Sequence, residues 1–156
     1  MKTVILYASH HHGNTKKLVD AMKEQFDVST VDIEHEKIPD VSDYDCIGFA
    51  SGIDFGKFYE PIRRAAQETM CRGKAVFFLY TCGQDKGTFD AELRKLAKER
   101  GCEVLGSFGC KGFDTYGPWK LIGGINKNHP DNQDIMHALS FYKKSVDESM
   151  LKSREA

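Results

Sequence analysis

The feature that most constrains this chain is a set of short apolar runs that do not alternate. VILYA after Thr3 and AVFFLY from Ala75 are apolar at successive positions. Successive side chains of a strand point to opposite faces, so such a run needs cover on both sides, as in a parallel sheet between helices. Runs of this kind recur at Thr3–Ala8, Val28–Ile33, Cys46–Ala50, Ala75–Tyr80 and Val104–Phe108, rich in β-branched and aromatic residues and bounded by turn residues. Segments of helical spacing separate most of them, marked by Leu18 and Met22, then Ile62, Ala66 and Met70, then Phe89, Leu93 and Leu96. A last helix carries Ile135, Leu139, Tyr142 and Val146 and opens on Pro130 and Asp131. This alternation predicts an α/β fold, a doubly wound five-stranded parallel sheet of order 2-1-3-4-5 with helices on both faces.

With 156 residues there is room for one core, and the expected domain runs over residues 1–151, followed by a charged, frayed tail at 152–156. The 22 basic and 23 acidic residues leave a net charge of -1, which supplies no field of the kind that draws nucleic acid. Five cysteines without C-x-x-C spacing suggest neither a disulfide framework nor structural zinc, and a reducing cytoplasm is the expected compartment. The opening MKTVILYAS has too short an apolar run for an export signal, and no membrane association is expected.

Glycines collect where four of the five strands end: Gly13, then Gly52 and Gly56, then Gly83 and Gly87, then Gly112. The loop after the second strand has none. In a 2-1-3-4-5 sheet the glycine-bearing ends converge on the switch point between strands one and three, where backbone amides can approach a ligand closely. Ser9–Thr15, SHHHGNT, leads from the first strand into the first helix, so its amides and hydroxyls meet the positive end of that helix, the chemistry of a phosphate cradle. The dinucleotide pattern G-x-G-x-x-G is absent, and Gly52–Lys57 departs from a nucleotide P-loop in spacing and in having Phe58 where Ser or Thr must hold magnesium. A receiver domain would need carboxylates after the first strand, where this chain has Ser9 and histidines. The consecutive His10, His11 and His12 have no neighbouring Cys or Glu to complete a tetrahedral set, so no metal is expected.

Gly13-Asn14-Thr15 with the leading Ser9 resembles the FMN phosphate loop of the flavodoxin family, with three residues before the glycine where the family usually has two. Ser51–Tyr59, SGIDFGKFY, resembles the family's loop lining the flavin ring, and Thr81–Gly87, TCGQDKG, resembles its partner on the other side. GINKNHPDNQD before the last helix is similar to a subset of flavodoxin-like proteins. The resemblance implies FMN as cofactor. It places Ser9, Gly13, Asn14 and Thr15 at the phosphate, with His11 and His12 donating to it or lying over the ribityl chain. It also places Ser51, Gly52, Ile53, Phe55, Gly56, Lys57 and Phe58 on one side of the ring and Thr81, Cys82, Gly83 and Gly87 on the other. The third loop lacks the aromatic that electron carriers of the family stack on the flavin. Tyr116 and Trp119, in the long stretch from Lys111 to His129, are expected to cover that face.

Two functions fit this reading. One is an FMN protein transferring electrons between protein partners. The other is an FMN-dependent NAD(P)H or quinone oxidoreductase passing electrons to a small-molecule acceptor.

Overall fold

The computed structural model describes residues 1–155 of the chain. Its sheet is built from β1 (Thr3–Ala8), β2 (Val28–Asp32), β3 (Cys46–Asp54), β4 (Lys57–Phe58), β5 (Ala75–Cys82) and β6 (Glu103–Lys111). The helices are α1 (Asn14–Gln25), α2 (Glu60–Thr69), α3 (Ala91–Glu99) and α4 (Asn132–Glu155). The parallel order β2-β1-β3-β5-β6 is the expected 2-1-3-4-5 arrangement, with β4 paired antiparallel to the end of β3 as a sixth strand off that path.

Non-alternating strands are covered on both faces, as their sequence requires. Val4, Leu6, Phe49 and Phe78 pack with Ile62, Ala66 and Leu93 of α2 and α3. Ile5, Phe77 and Leu79 pack with Leu18, Val19 and Met22 of α1 and Tyr142 of α4. Phe49, Phe77 and Phe78 are essentially fully buried on the central strands, and each such side chain contributes about 1.5–3 kcal/mol of burial.

The structure corrects several expected boundaries. The third strand runs on past Ala50 to Asp54, because Ile53 and Asp54 pair back on Phe58 and Lys57 around a tight turn. Phe55 and Gly56 in that turn both have positive φ, 50° and 78°, the backbone of a two-residue hairpin. The last helix continues through Glu155, so residues 152–155 are helical where a frayed tail was expected, and Ala156 lies outside the described residues. Residues 111–129 are also ordered. Asp114 bridges Ile125, and Gly117–Ile122 forms a turn of 3-10 helix. Among the described residues no helix is long and apolar enough to cross a membrane.

Candidate functional site

The parallel register brings the strand ends to one level: Ala8 lies beside Ser51, Gly52 beside Thr81, and Cys82 beside Lys111. The chain leaves β1 toward β2 on one side and leaves β3 toward β5 on the other, so the loops diverge here and a crevice of about 220 Å³ opens between them. Four loops line it: Ser9–Thr15, the β3–α2 segment, the start of the β5–α3 loop, and the stretch after β6.

In the first loop, positive φ at His12 (54°) and Gly13 (65°) turns the chain into α1. The Asn14 amide donates to the His11 carbonyl at 3.2 Å and the Lys16 amide to Ser9 Oγ at 3.2 Å. The amides of His11, His12, Gly13 and Thr15 meet no protein acceptor among the described residues. The first turn of α1 carries no acidic residue. Unpaired donors at the positive end of a helix, with no carboxylate in its first turn, are a donor set suited to a phosphate. Below them the hydroxyls of Thr15 and Thr81 lie 2.9 Å apart. One proton serves that bond, which leaves the second hydroxyl proton uncommitted at the crevice wall.

Asn14 makes contacts that its sequence context does not announce. Its side-chain amide donates to the Phe113 carbonyl at 2.9 Å, and its side-chain oxygen accepts from the Phe113 amide at 3.3 Å. Both ends thus tie α1 to the segment after β6, with one Nδ2 proton left uncommitted. Gly112 permits the contact, since a Cβ there would come within 2.7 Å of Asn14 Nδ2. His12 leans the same way, with Nε2 3.0 Å from Thr115 Oγ1 and its ring 4.1 Å from that of Phe113.

Across the crevice, Ser51 Oγ donates to the Gly52 carbonyl at 2.7 Å and accepts from the Tyr59 amide at 3.1 Å, which fixes the entry to α2. The Tyr59 ring is buried, only 4% exposed, with the His10 ring tilted against it at 4.3 Å between centroids. His10 Nδ1 is held in turn by Glu34 at 2.6 Å. The Tyr59 hydroxyl lies against Gly52, where any Cβ would collide with it, and faces the crevice. Burial, reinforced by Asp54, Glu34 and Asp114, raises its pKa well above the ordinary value, so Tyr59 stays a neutral phenol able to donate.

Of the residues expected at the site, the structure gathers Ser9, His11, Asn14, Thr15, Gly52, Ile53, Phe55, Thr81, Cys82, Gly83 and Tyr116 around the crevice. It does not bring His12, Gly13, Ser51, Gly56, Lys57, Phe58, Gly87 or Trp119 to its wall. Lys57 turns outward to Glu92 at 3.3 Å, and Phe58 is buried in the core. Gly87 donates its amide to Asp85 at 2.8 Å, within the β5–α3 loop. Trp119 sits half-buried in the 3-10 turn while Tyr116, three residues earlier, reaches the mouth. The Cys82 thiol is pushed up to about 12 by burial and then by Asp85 and Asp114, so it is no ready nucleophile. Burial raises Cys110 likewise. Sequence reasoning did not name Asp54, Tyr59, Gly112, Phe113 or Asp114 among the binding residues, although all five lie in loops it assigned to the site.

A family model of the flavodoxin domain matches residues 4–109. The chain is 41% identical over 145 residues to the uncharacterised protein MJ0298 of Methanocaldococcus jannaschii, an alignment covering 92% of this chain and 97% of that protein. It is 26% identical over 152 residues to the flavodoxin-like domain-containing protein BilS of Clostridioides difficile, covering 93% and 85% of the two chains. In fold it is similar to a Fusobacterium nucleatum flavodoxin solved with bound flavin mononucleotide, with a TM-score of 0.65 at 13% identity over 95% of this chain and 99% of that one.

Proposed function

This chain belongs to the flavodoxin family, and from that premise we propose that it binds one FMN in the switch-point crevice and transfers electrons between protein partners. The observation that carries the reading is the set of unpaired amides at the head of α1, of which those of His11 and Thr15 belong to residues lining the same crevice as the neutral Tyr59 phenol. When bound, FMN supplies the redox chemistry, taking up and releasing electrons through its ring system.

The chain's own residues then have separate tasks. The amides of His11 and Thr15 and the free hydroxyl proton of the Thr15–Thr81 pair would hold the phosphate. Tyr59 would present a proton donor to the polar edge of the ligand. Asp54 and Asp114, both at the crevice wall, would set negative charge beside a bound flavin. Such charge opposes the gain of electrons and so lowers the reduction potential. Phe55, 93% exposed, and Tyr116, 68% exposed, stand at the mouth with Leu121 and Ile122 exposed nearby in the chain. An apolar rim of this kind suits a protein surface better than a diffusing polar substrate.

The test is a comparison of ligands. FMN is expected to bind one per chain and to outcompete riboflavin by at least about tenfold, since each hydrogen bond to a charged acceptor contributes about 1.5–3 kcal/mol. Riboflavin binding as tightly as FMN would remove the phosphate site. A second reading, an FMN-dependent NAD(P)H or quinone oxidoreductase, draws on the absence of an aromatic from the β5–α3 loop before Phe89. Bleaching of the bound flavin by NAD(P)H alone would favour it, and bleaching only through a second protein would favour the carrier.

A further inference from the structure

At the opposite edge of the sheet the chain carries a pair of cysteines that FMN binding does not use. Cys71 follows α2 and opens the four-residue turn into β5, closed by the Lys74 amide donating to the Cys71 carbonyl at 3.2 Å. Cys102 follows α3 and immediately precedes β6, its amide donating to the Ala97 carbonyl at 2.9 Å. Because β5 and β6 start side by side, with Ala75 opposite Glu103, these two turns are neighbours. The Gly73 amide reaches the Gly101 carbonyl at 3.4 Å, and Cys102 Sγ lies 3.2 Å from the Cys71 carbonyl oxygen. A sulfur that touches the other cysteine's own carbonyl puts the two residues side by side, and a bridge between them further requires a Cα separation below about 7 Å with the Cβ atoms facing.

The two thiols differ in a useful way. Cys71 is exposed and Cys102 only partly so. Burial, and then the neighbouring Cys71, push the Cys102 thiol up, with Arg100 pulling the other way. Arg72 packs its stem beside Gly101, so arginines flank both cysteines. Their positive charge attracts an anionic reagent. The three remaining cysteines, Cys46, Cys82 and Cys110, are buried.

We propose that Cys71 and Cys102 form a thiol–disulfide exchange site whose co-substrate is a low-molecular-weight, negatively charged disulfide. Cys71, as thiolate, attacks one sulfur of that disulfide, forming a mixed disulfide and releasing one thiolate, which takes up a proton. Cys102 then loses its proton and attacks the Cys71 sulfur, forming the Cys71–Cys102 bond and releasing the second thiol. The protein dithiol is oxidised by two electrons, and the small disulfide is reduced to two thiols.

The experiment treats the full-length reduced chain with oxidised glutathione, blocks free thiols, and maps disulfides by mass spectrometry, with circular dichroism confirming that each variant is folded. Wild type is expected to give an internal Cys71–Cys102 link that a dithiol reductant reverses. C102S is expected to stop at a glutathione adduct on Cys71, and C71S to give no link and little adduct. A stable wild-type adduct on Cys71, a link between two chains, or no reaction under conditions that modify C102S would each overturn the proposal. So would a C71S variant that takes up glutathione at Cys102 as fast as wild type forms its link.

Discussion

The two edges of one sheet are finished in opposite ways. At the amino edge, polar groups are spent within the protein. Lys74 Nζ donates to the carbonyls of Val41, Ser42 and Tyr44 at 2.9, 2.8 and 2.5 Å, and the Lys2 amide donates to Asp45 at 2.7 Å. At the carboxyl edge the loops are longer, His12 and Phe55 are held at positive φ, and amides at the head of α1 are left without a protein acceptor. Hydrogen bonds completed internally stabilise the fold, whereas donors left open at a concave surface are available to a ligand. The contrast teaches that stability and ligand binding are assigned to opposite ends of the same strands, and substitutions can separate them.

The largest expected effect falls at the carboxyl edge. Gly52→Val puts a side chain where the Tyr59 hydroxyl lies, so the buried Tyr59 ring must shift from the crevice wall. FMN affinity should fall by about 100-fold or more, with a loss of stability of about 1–3 kcal/mol from overpacking. Titration of flavin fluorescence together with denaturant unfolding checks both. Undiminished affinity would mean that the crevice wall at Gly52 is not a ligand wall.

The reverse pattern is expected at the amino edge. Lys74→Met removes a charged donor from three carbonyls and should cost about 1.5–3 kcal/mol of stability. FMN affinity, measured well below the unfolding transition, should stay within twofold of wild type. A parallel loss of affinity would break the separation of the two edges.

Much of this division was legible before any coordinates. Five runs such as AVFFLY announce covered strands, and the positions of the glycines mark which ends of them converge. The hairpin at Asp54–Lys57 was hidden because its turn is Phe-Gly, and a bulky residue at positive φ is not what a two-residue turn ordinarily recruits. The role of Asn14 was hidden by distance, since its partner Phe113 is 99 residues away and the local Gly-Asn-Thr context points to a phosphate instead. Tyr59 closed the loop expected to line the ring but was not singled out in it, because the space for its hydroxyl is created by a glycine seven residues earlier on a different element. Local chemistry is visible in a sequence, whereas a contact made by the fold is visible only where its pattern repeats.

Asn14 offers a test within the carboxyl edge itself. Asn14→Ala deletes both side-chain bonds to Phe113 without touching the open amides of the first loop. The expected result is faster amide exchange at residues 112–116 and a roughly tenfold weaker FMN complex, about 1.4 kcal/mol, arising from a loosened wall. Were Asn14 a direct phosphate ligand instead, the variant would lose its preference for FMN over riboflavin while exchange at 112–116 stayed slow.

The smallest effect is expected where the sequence alone suggested a large one. Trp119 and Tyr116 lie three residues apart, but the 3-10 turn places only Tyr116 at the crevice mouth, and Trp119 is half-buried away from its wall. Trp119→Phe keeps an aromatic in that turn and should change FMN affinity by no more than about 0.5 kcal/mol, the usual range for substitutions remote from a site. Tyr116→Ala removes a ring from the mouth and should weaken FMN or slow electron transfer to a partner by more than that. Measuring both variants in one titration series decides the matter internally, since each controls for the general effect of disturbing residues 111–129. If Trp119→Phe proves the more damaging, the segment must rearrange when the ligand enters, and the edge that holds open donors would also be an edge that moves.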